Sequence, residues 1–129
     1  IALGHHFNDV VETTVMGMFY SSQLQAMMPK LHSTNFEGME LIRPMYMICE
    51  DDIISWAAYN DLHFLQCACK FTENTGDSKR QEIKELLRAQ RRINPSIEKS
   101  IFNSIHSVCL DTMPGWISRG ERHSFLDEY

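Results

Sequence analysis

A short apolar run, Ile1-Ala2-Leu3, stops at Gly4, and a dense polar cluster follows it: His5, His6, Asn8, Asp9, Glu12 and Thr13. This handover constrains the fold more than any other stretch of the chain. A strand end that passes directly into helix-capping residues is the arrangement of an α/β domain whose ligands sit at the carboxyl ends of the strands. Asn8 or Asp9 can cap a helix running to about Tyr20. Val11, Val15 and Met18, with Val10 and Phe19, fall at helical spacing along it. A core strand beginning at the first residue also predicts that the chain is the second half of a larger domain.

The rest of the chain continues the alternation. Residues 21–32 read as a connection with a short helix before Pro29. Met39 to Ile42 reads as a second strand, closed by Arg43-Pro44, because a residue before proline is pushed to extended geometry. Glu50, Asp51 and Asp52 open a second helix, where acids complement the positive end of the helix dipole. His63 to Gln66 reads as a third strand running into Cys67-Ala68-Cys69, and residues 72–78 as a polar loop. A charged helix is expected from Lys79 to Arg92, and a last one from the Asn94-Pro95 pair, with Ile97, Ile101, Ile105 and Val108 on one face. Residues 1–109 are expected to form the ordered domain and 110–129 a mobile tail. The order predicts an α/β fold with a partial parallel sheet and flanking helices. The polar clusters after Gly4, Ile42 and Gln66 would then share the carboxyl edge of that sheet.

Composition narrows the function. The 129 residues are 43% hydrophobic and 22% charged, as expected of one modest globular domain. The net charge of -5 means that any nucleic-acid surface must be local. No apolar run is long enough to span a bilayer and the start does not read as a secretory signal, so a cytoplasmic protein without a membrane partner is expected. Four cysteines in a chain of this size are not a disulfide framework. Cys49 and Cys109 lie on helical apolar patterns and read as core. His32, His63, His106 and His123 are isolated and read as structural or surface residues.

Three groups can carry chemistry. Asp9 and Glu12 stand one turn apart; with His5 and His6 they could bind a divalent metal or assist an adenylation, although capping alone would also place acids there. Cys67 and Cys69 are too close in sequence to chelate one zinc in the usual way, yet thiols at a strand end could ligate or react. Lys79, Arg80, Lys84, Arg88, Arg91 and Arg92 are six of the twelve basic residues and form a stripe suited to phosphates, or simply a solvated helix face.

Gly4-His5-His6-x-x-Asp9-x-x-Glu12-Thr13 resembles the G-H-H-x-D-D-x-x-E-T motif of the PP-loop ATP pyrophosphatases that modify tRNA, with Asn8 where the motif has its first aspartate. Ile42-Arg43-Pro44 before an acidic helix start resembles the R-P-L segment of the same family. The resemblance implies the C-terminal half of a Rossmann-like adenine-nucleotide α-hydrolase domain. It implies ATP and Mg2+ as cofactors, with Gly4, His5, His6, Asp9, Thr13 and Arg43 binding the nucleotide and Asp9 and Glu12 catalytic.

Phe64-Leu-Gln-Cys67-Ala-Cys69, then Arg80-x-x-Ile83-Lys84-x-x-Leu87-Arg88, is similar to the tRNA 2-thiocytidine synthetase branch. There the resemblance implies adenylation of a tRNA cytidine and replacement of its oxygen by sulfur. Cys67 or Cys69 would supply one ligand of an iron–sulfur cluster, and Arg80, Lys84 and Arg88 would contact tRNA or ATP phosphates. Its partners would be tRNA and a sulfur donor protein. The family's phosphate loop S-G-G-x-D-S and upstream cysteine pair are not in these residues, so this piece alone is expected to be inactive, and an incomplete sheet edge predicts a homodimer. A tRNA lysidine synthetase shares the first motif and the R-P segment, but lysine transfer needs no thiol. The other readings are a non-catalytic interaction module, in which the polar clusters only cap helices, and a metal-dependent hydrolase using His5, Asp9 and Glu12.

Overall fold

The computed structural model describes residues 1–64, 75–127 and 129. Along the chain run α1 (Phe7–Tyr20), β1 (Lys30–His32), β2 (Glu40–Ile42), α2 (Glu50–Tyr59), α3 (Thr75–Ile93), α4 (Ile97–Ile105), β3 (Gly115–Ser118) and β4 (Glu121–Ser124). Single 3-10 turns cover Leu110–Thr112 and Phe125–Asp127.

Helices α1, α3 and α4 pack on one another and make the core. Val10, Val11 and Val15 of α1, Ile83 and Leu87 of α3, Phe102 of α4 and Tyr46 from the turn after β2 are its buried members. The sequence spacing of Val10, Val11 and Val15 is therefore the buried face of α1, whereas Met18 and Phe19 further along are exposed. Phe102 anchors an aromatic stack, 4.6 Å from the ring of Phe7, 5.3 Å from Tyr46 and 4.5 Å from His106. Clustered aromatic rings of this kind add to stability beyond the area they bury.

The helix boundaries shift from the expected ones. α1 is capped by His6, not by Asn8 or Asp9. The extra turn is held by Asp9, whose Oδ2 accepts the His6 backbone N–H at 3.0 Å. α3 begins at Thr75, inside the expected 72–78 loop, because burial of Ile83 and Leu87 outweighs the weak helix propensity of its first turn. α4 begins at Ile97; Asn94 forms the turn before it by accepting the Ser96 N–H at 3.1 Å. That helix ends at Ile105, so Val108 is not on its face, and Cys109, expected in the core, is exposed.

The strands differ most. Residues 21–29 hold no helix; instead Lys30–His32 pairs antiparallel with Glu40–Ile42, with Leu31 opposite Leu41. A short connection between neighbouring strands can only close an antiparallel pair. The parallel pairing among the described residues is a single bridge, Ala2 to Ile42, in which Leu3 N–H donates to the Ile42 carbonyl and Ile42 N–H to the Ile1 carbonyl, both at 2.9 Å. His63 and Phe64 belong to no strand, and the remainder of the expected third strand lies outside the described residues, as do Cys67 and Cys69.

The stretch 110–129, expected to lack regular structure, holds the β3–β4 hairpin, in which Trp116 stacks on His123 at 5.4 Å. Its two-residue turn is Arg119-Gly120, both at positive φ, the geometry that matches the natural twist of a hairpin.

Candidate functional site

The Ala2–Ile42 bridge sets the ends of two segments side by side. Gly4 and His5 leave the first, Arg43 leaves the second, and the Arg43 Nε–H donates to His5 Nδ1 at 3.3 Å. Arg43 also donates from Nη1 to the Met28 carbonyl and from its backbone N–H to the Pro29 carbonyl, the latter at 2.9 Å. His5 and Arg43, paired in the expected nucleotide site across thirty-eight residues of sequence, therefore meet in space. A Cβ added at Gly4 would meet only the Met45 Cε at 3.7 Å, an ordinary contact, so the fold leaves room in front of Gly4.

A second group forms on the first turns of α1. The carboxylate of Glu12 is almost fully buried. Arg80 Nη1 lies 3.2 Å from its Oε2 and Lys84 Nζ 3.8 Å from its Oε1. Arg80 Nη1 is also 3.8 Å from Asp9 Oδ1, and His6 Nε2 is 3.4 Å from Asp9 Oδ2. Burial pushes the Glu12 carboxyl above its ordinary range, and the neighbouring Lys84 and Arg80 pull the other way without reversing it. The two cations that the sequence put on a solvated or RNA-facing stripe thus face the two acids of the first motif. They sit at i and i+4 of α3, so both reach the same side of α1.

Two buried polar atoms lack a hydrogen-bond partner among the described residues: Nδ1 of His6 and Oγ1 of Thr13. Leaving such atoms unpaired costs about 1–3 kcal/mol each, and both belong to the motif that the sequence assigns to ligand. Arg88 is exposed and lines the small polar recess formed by Asn8, Glu12, Glu50, Lys84 and Glu98.

Glu50 is the site residue that sequence reading missed. Its Oε1 lies 3.9 Å from His6 Nε2 and 3.7 Å from Lys84 Nζ. The acidic start of α2 was visible, but only as a response to the helix dipole; its approach to α1 is a tertiary fact. The carboxylates do not fit a divalent ion held directly. Asp9, Glu12 and Glu50 each already face Arg80 or Lys84 at 3.2–3.8 Å, and among the described residues no three His, Cys, Asp or Glu side chains are placed to hold a metal. No helix among them is long and apolar enough to cross a membrane.

Fold and site together define a helix-packed domain with two small antiparallel hairpins and a polar, cation-bearing cluster where its first segment enters its first helix. The chain belongs to the PP-loop family: the PP-loop domain matches residues 1–91. It is 39% identical over 109 residues to a tRNA-cytidine(32) 2-sulfurtransferase of Methylobacillus flagellatus, 34% over 109 residues to one of Geotalea uraniireducens and 38% over 109 residues to one of Cellvibrio japonicus. Each alignment covers 84% of this chain, but the chain spans only 35–42% of the length of these relatives.

Proposed function

We propose that this chain is part of an ATP-dependent tRNA-modifying enzyme that adenylates a cytidine and exchanges its oxygen for sulfur, forming 2-thiocytidine. The observation that carries this reading is the convergence of Arg80 and Lys84 of α3 on Asp9 and Glu12 of α1, beside His6. In the first step the cytidine oxygen would attack the α-phosphate of ATP and pyrophosphate would leave. In the second, sulfide-level sulfur would add at the carbon that bears this oxygen, and the C–O bond would break so that AMP departs with the oxygen.

Negative charge builds up on the phosphates in the first step, and preorganised cations stabilise it most where water is scarce. Arg80 and Lys84 are the groups for this role, and Asp9 and Glu12 hold their charged ends in place. Arg43 donates to Nδ1 of His5, which leaves Nε2 of His5 as an N–H donor. Thr13 carries a buried hydroxyl that has no hydrogen-bond partner among the described residues. Arg88, exposed on the same helix, suits tRNA phosphates. In this reading Cys67 or Cys69 supplies one ligand of an iron–sulfur cluster that carries the sulfur, a sulfur donor protein reloads it, the sheet of the whole domain is parallel, and the protein is a cytoplasmic homodimer. Both cysteines lie outside the described residues.

Mass spectrometry of tRNA nucleosides from a strain lacking the gene tests the reading. Selective loss of 2-thiocytidine is expected, restored by the gene but not by a version with Cys67→Ala and Cys69→Ala. An unchanged 2-thiocytidine level would overturn it, and loss of lysidine instead would assign the chain to lysine transfer.

A further inference from the structure

The site holds a carboxylate that its motif does not contain, and it arrives there by an unusual route. Cys49, the cap residue of α2, makes no side-chain hydrogen bond to the helix it starts. The Glu50 backbone N–H is satisfied instead by α1: Oδ1 of Asn8 accepts it at 2.9 Å. The other end of the same amide donates, from Nδ2 to Oε1 of Glu98 in α4 at 3.5 Å. Glu98 is 14% exposed and is gripped by Arg91 of α3, through Nε at 3.0 Å and through Nη2. Arg91 Nη1 lies 3.6 Å from Asp51 of α2 as well. One amide thus ties α1 to α2 and α4, and through Arg91 to α3.

The Asn8 amide meets both demands at position 8. The Glu50 N–H needs an acceptor and the Glu98 carboxylate needs a donor. An aspartate there, as in the similar motif, keeps the acceptor but sets a second carboxylate against Glu98, whose cation is already shared with Asp51. The outcome of Asn8's choice is the position of Glu50. Its carboxylate and that of Glu12 take the Lys84 ammonium between them, at 3.7 and 3.8 Å.

We propose that Asn8 and Glu50 act as a pair. Asn8 is the positioning residue that fixes the start of α2. Glu50 is the third carboxylate of the cluster, brought from α2 to the Lys84 ammonium and the His6 ring. Its consequence for catalysis rests on the reading of Lys84 as a phosphate contact; the geometry itself does not.

The test combines two measurements on the intact protein with one in cells. Denaturant unfolding of Asn8→Asp, Glu98→Gln and the double variant is expected to be non-additive. Asn8→Asp lowers the folding constant about tenfold and Glu98→Gln restores most of it in the double variant. Additive losses would overturn the pairing of Asn8 with Glu98. In NMR spectra the two Lys84 Hε protons should be distinct in the unaltered chain and merge in Glu50→Gln and in Asn8→Ala, while Asn8→Asp/Glu98→Gln keeps them distinct. Unchanged Lys84 signals in Glu50→Gln would overturn the role of Glu50. In the complemented strain, Asn8→Ala and Glu50→Gln are expected to lose 2-thiocytidine at unchanged protein level, and Asn8→Asp/Glu98→Gln to regain it. If the unaltered gene makes no 2-thiocytidine, the functional reading fails while the folding and NMR results still decide the pairing.

Discussion

Arg43 and His5 stand thirty-eight residues apart in sequence and 3.3 Å apart in space, with the guanidinium Nε–H donating to the ring Nδ1. The same guanidinium donates to the carbonyl of Met28. The ring of His5 is therefore oriented by a residue that is itself tied to the loop before β1. A planar, forked donor can hold two acceptors at fixed angles, which a lysine ammonium cannot.

Arg43→Lys should keep the fold and release the His5 ring. Long-range nitrogen–proton NMR correlations of His5 are expected to show one dominant tautomer, protonated at Nε2, in the unaltered chain and a mixture in the variant. Stability should drop by about 1 kcal/mol, the worth of one hydrogen bond. A single unchanged tautomer in Arg43→Lys would contradict the orienting role.

Two glycines should respond to alanine in opposite ways. At Gly17, near the end of α1, an added Cβ would lie 2.8 Å from the backbone oxygen of Gln23, where the chain folds back and both Ser21 and Gln23 donate to the Gly17 carbonyl. Gly17→Ala should lower stability by about 1–3 kcal/mol by overpacking, despite the usual helix preference for alanine. Gly4→Ala meets only an ordinary contact, Met45 Cε at 3.7 Å, and should melt close to the unaltered chain, yet weaken ATP binding to the intact enzyme. Equal melting losses for both would refute the contrast.

The raised carboxyl of Glu12 predicts a pH signature. Its folded form binds a proton more readily than its unfolded form, whose ordinary value is 4.5. The stability linked to that proton is complete below 4.5 and is lost as pH rises through the higher folded value. Relative to Glu12→Gln, which has no such proton, the unaltered chain should gain stability as pH is lowered toward 4.5. Urea midpoints of the two proteins measured across that range check it; parallel curves would show that Arg80 and Lys84 cancel the cost of burial.

Arg91→Lys should cost about 1–3 kcal/mol, because it breaks the fork on Glu98 and leaves a largely buried carboxylate with a weaker partner. Glu98→Gln in the same background should return part of that loss. A double-mutant cycle by chemical unfolding measures the coupling.

What was legible in the sequence was local. The period of Val10, Val11 and Val15, the acids opening α2, and the Gly4–Thr13 and Arg43-Pro44 motifs each declare themselves within one turn or one strand end, and His5 and Arg43 of those two motifs lie in hydrogen-bond contact. What was hidden depends on partners far along the chain. Lys30-Leu31-His32 is too short to show alternation and becomes a strand only by pairing with β2. Asn8 reads as a helix cap for α1, while its side chain caps α2. Arg80 and Lys84 look like a solvated stripe until α3 is docked on α1. The C-terminal hairpin did leave a signal, the Arg119-Gly120 turn between Trp116-Ile117-Ser118 and Glu121-Arg122-His123, which two-residue hairpin rules could have recovered.

Ile42 has a neighbour on each side: Lys30 across the hairpin and Ala2 across the parallel bridge. Both halves of the hydrogen-bonded pair, His5 and Arg43, are thereby indexed from the same rung, like two pointers read against one tick mark. A slip of one residue in that rung would carry Arg43 along by about 3.3 Å and turn its side chain to the opposite face. The guanidinium would then miss the imidazole altogether. The alignment of the site is thus an all-or-none property of strand register, and substitutions at Ala2 or Ile42 that loosen the rung should silence His5 without touching it.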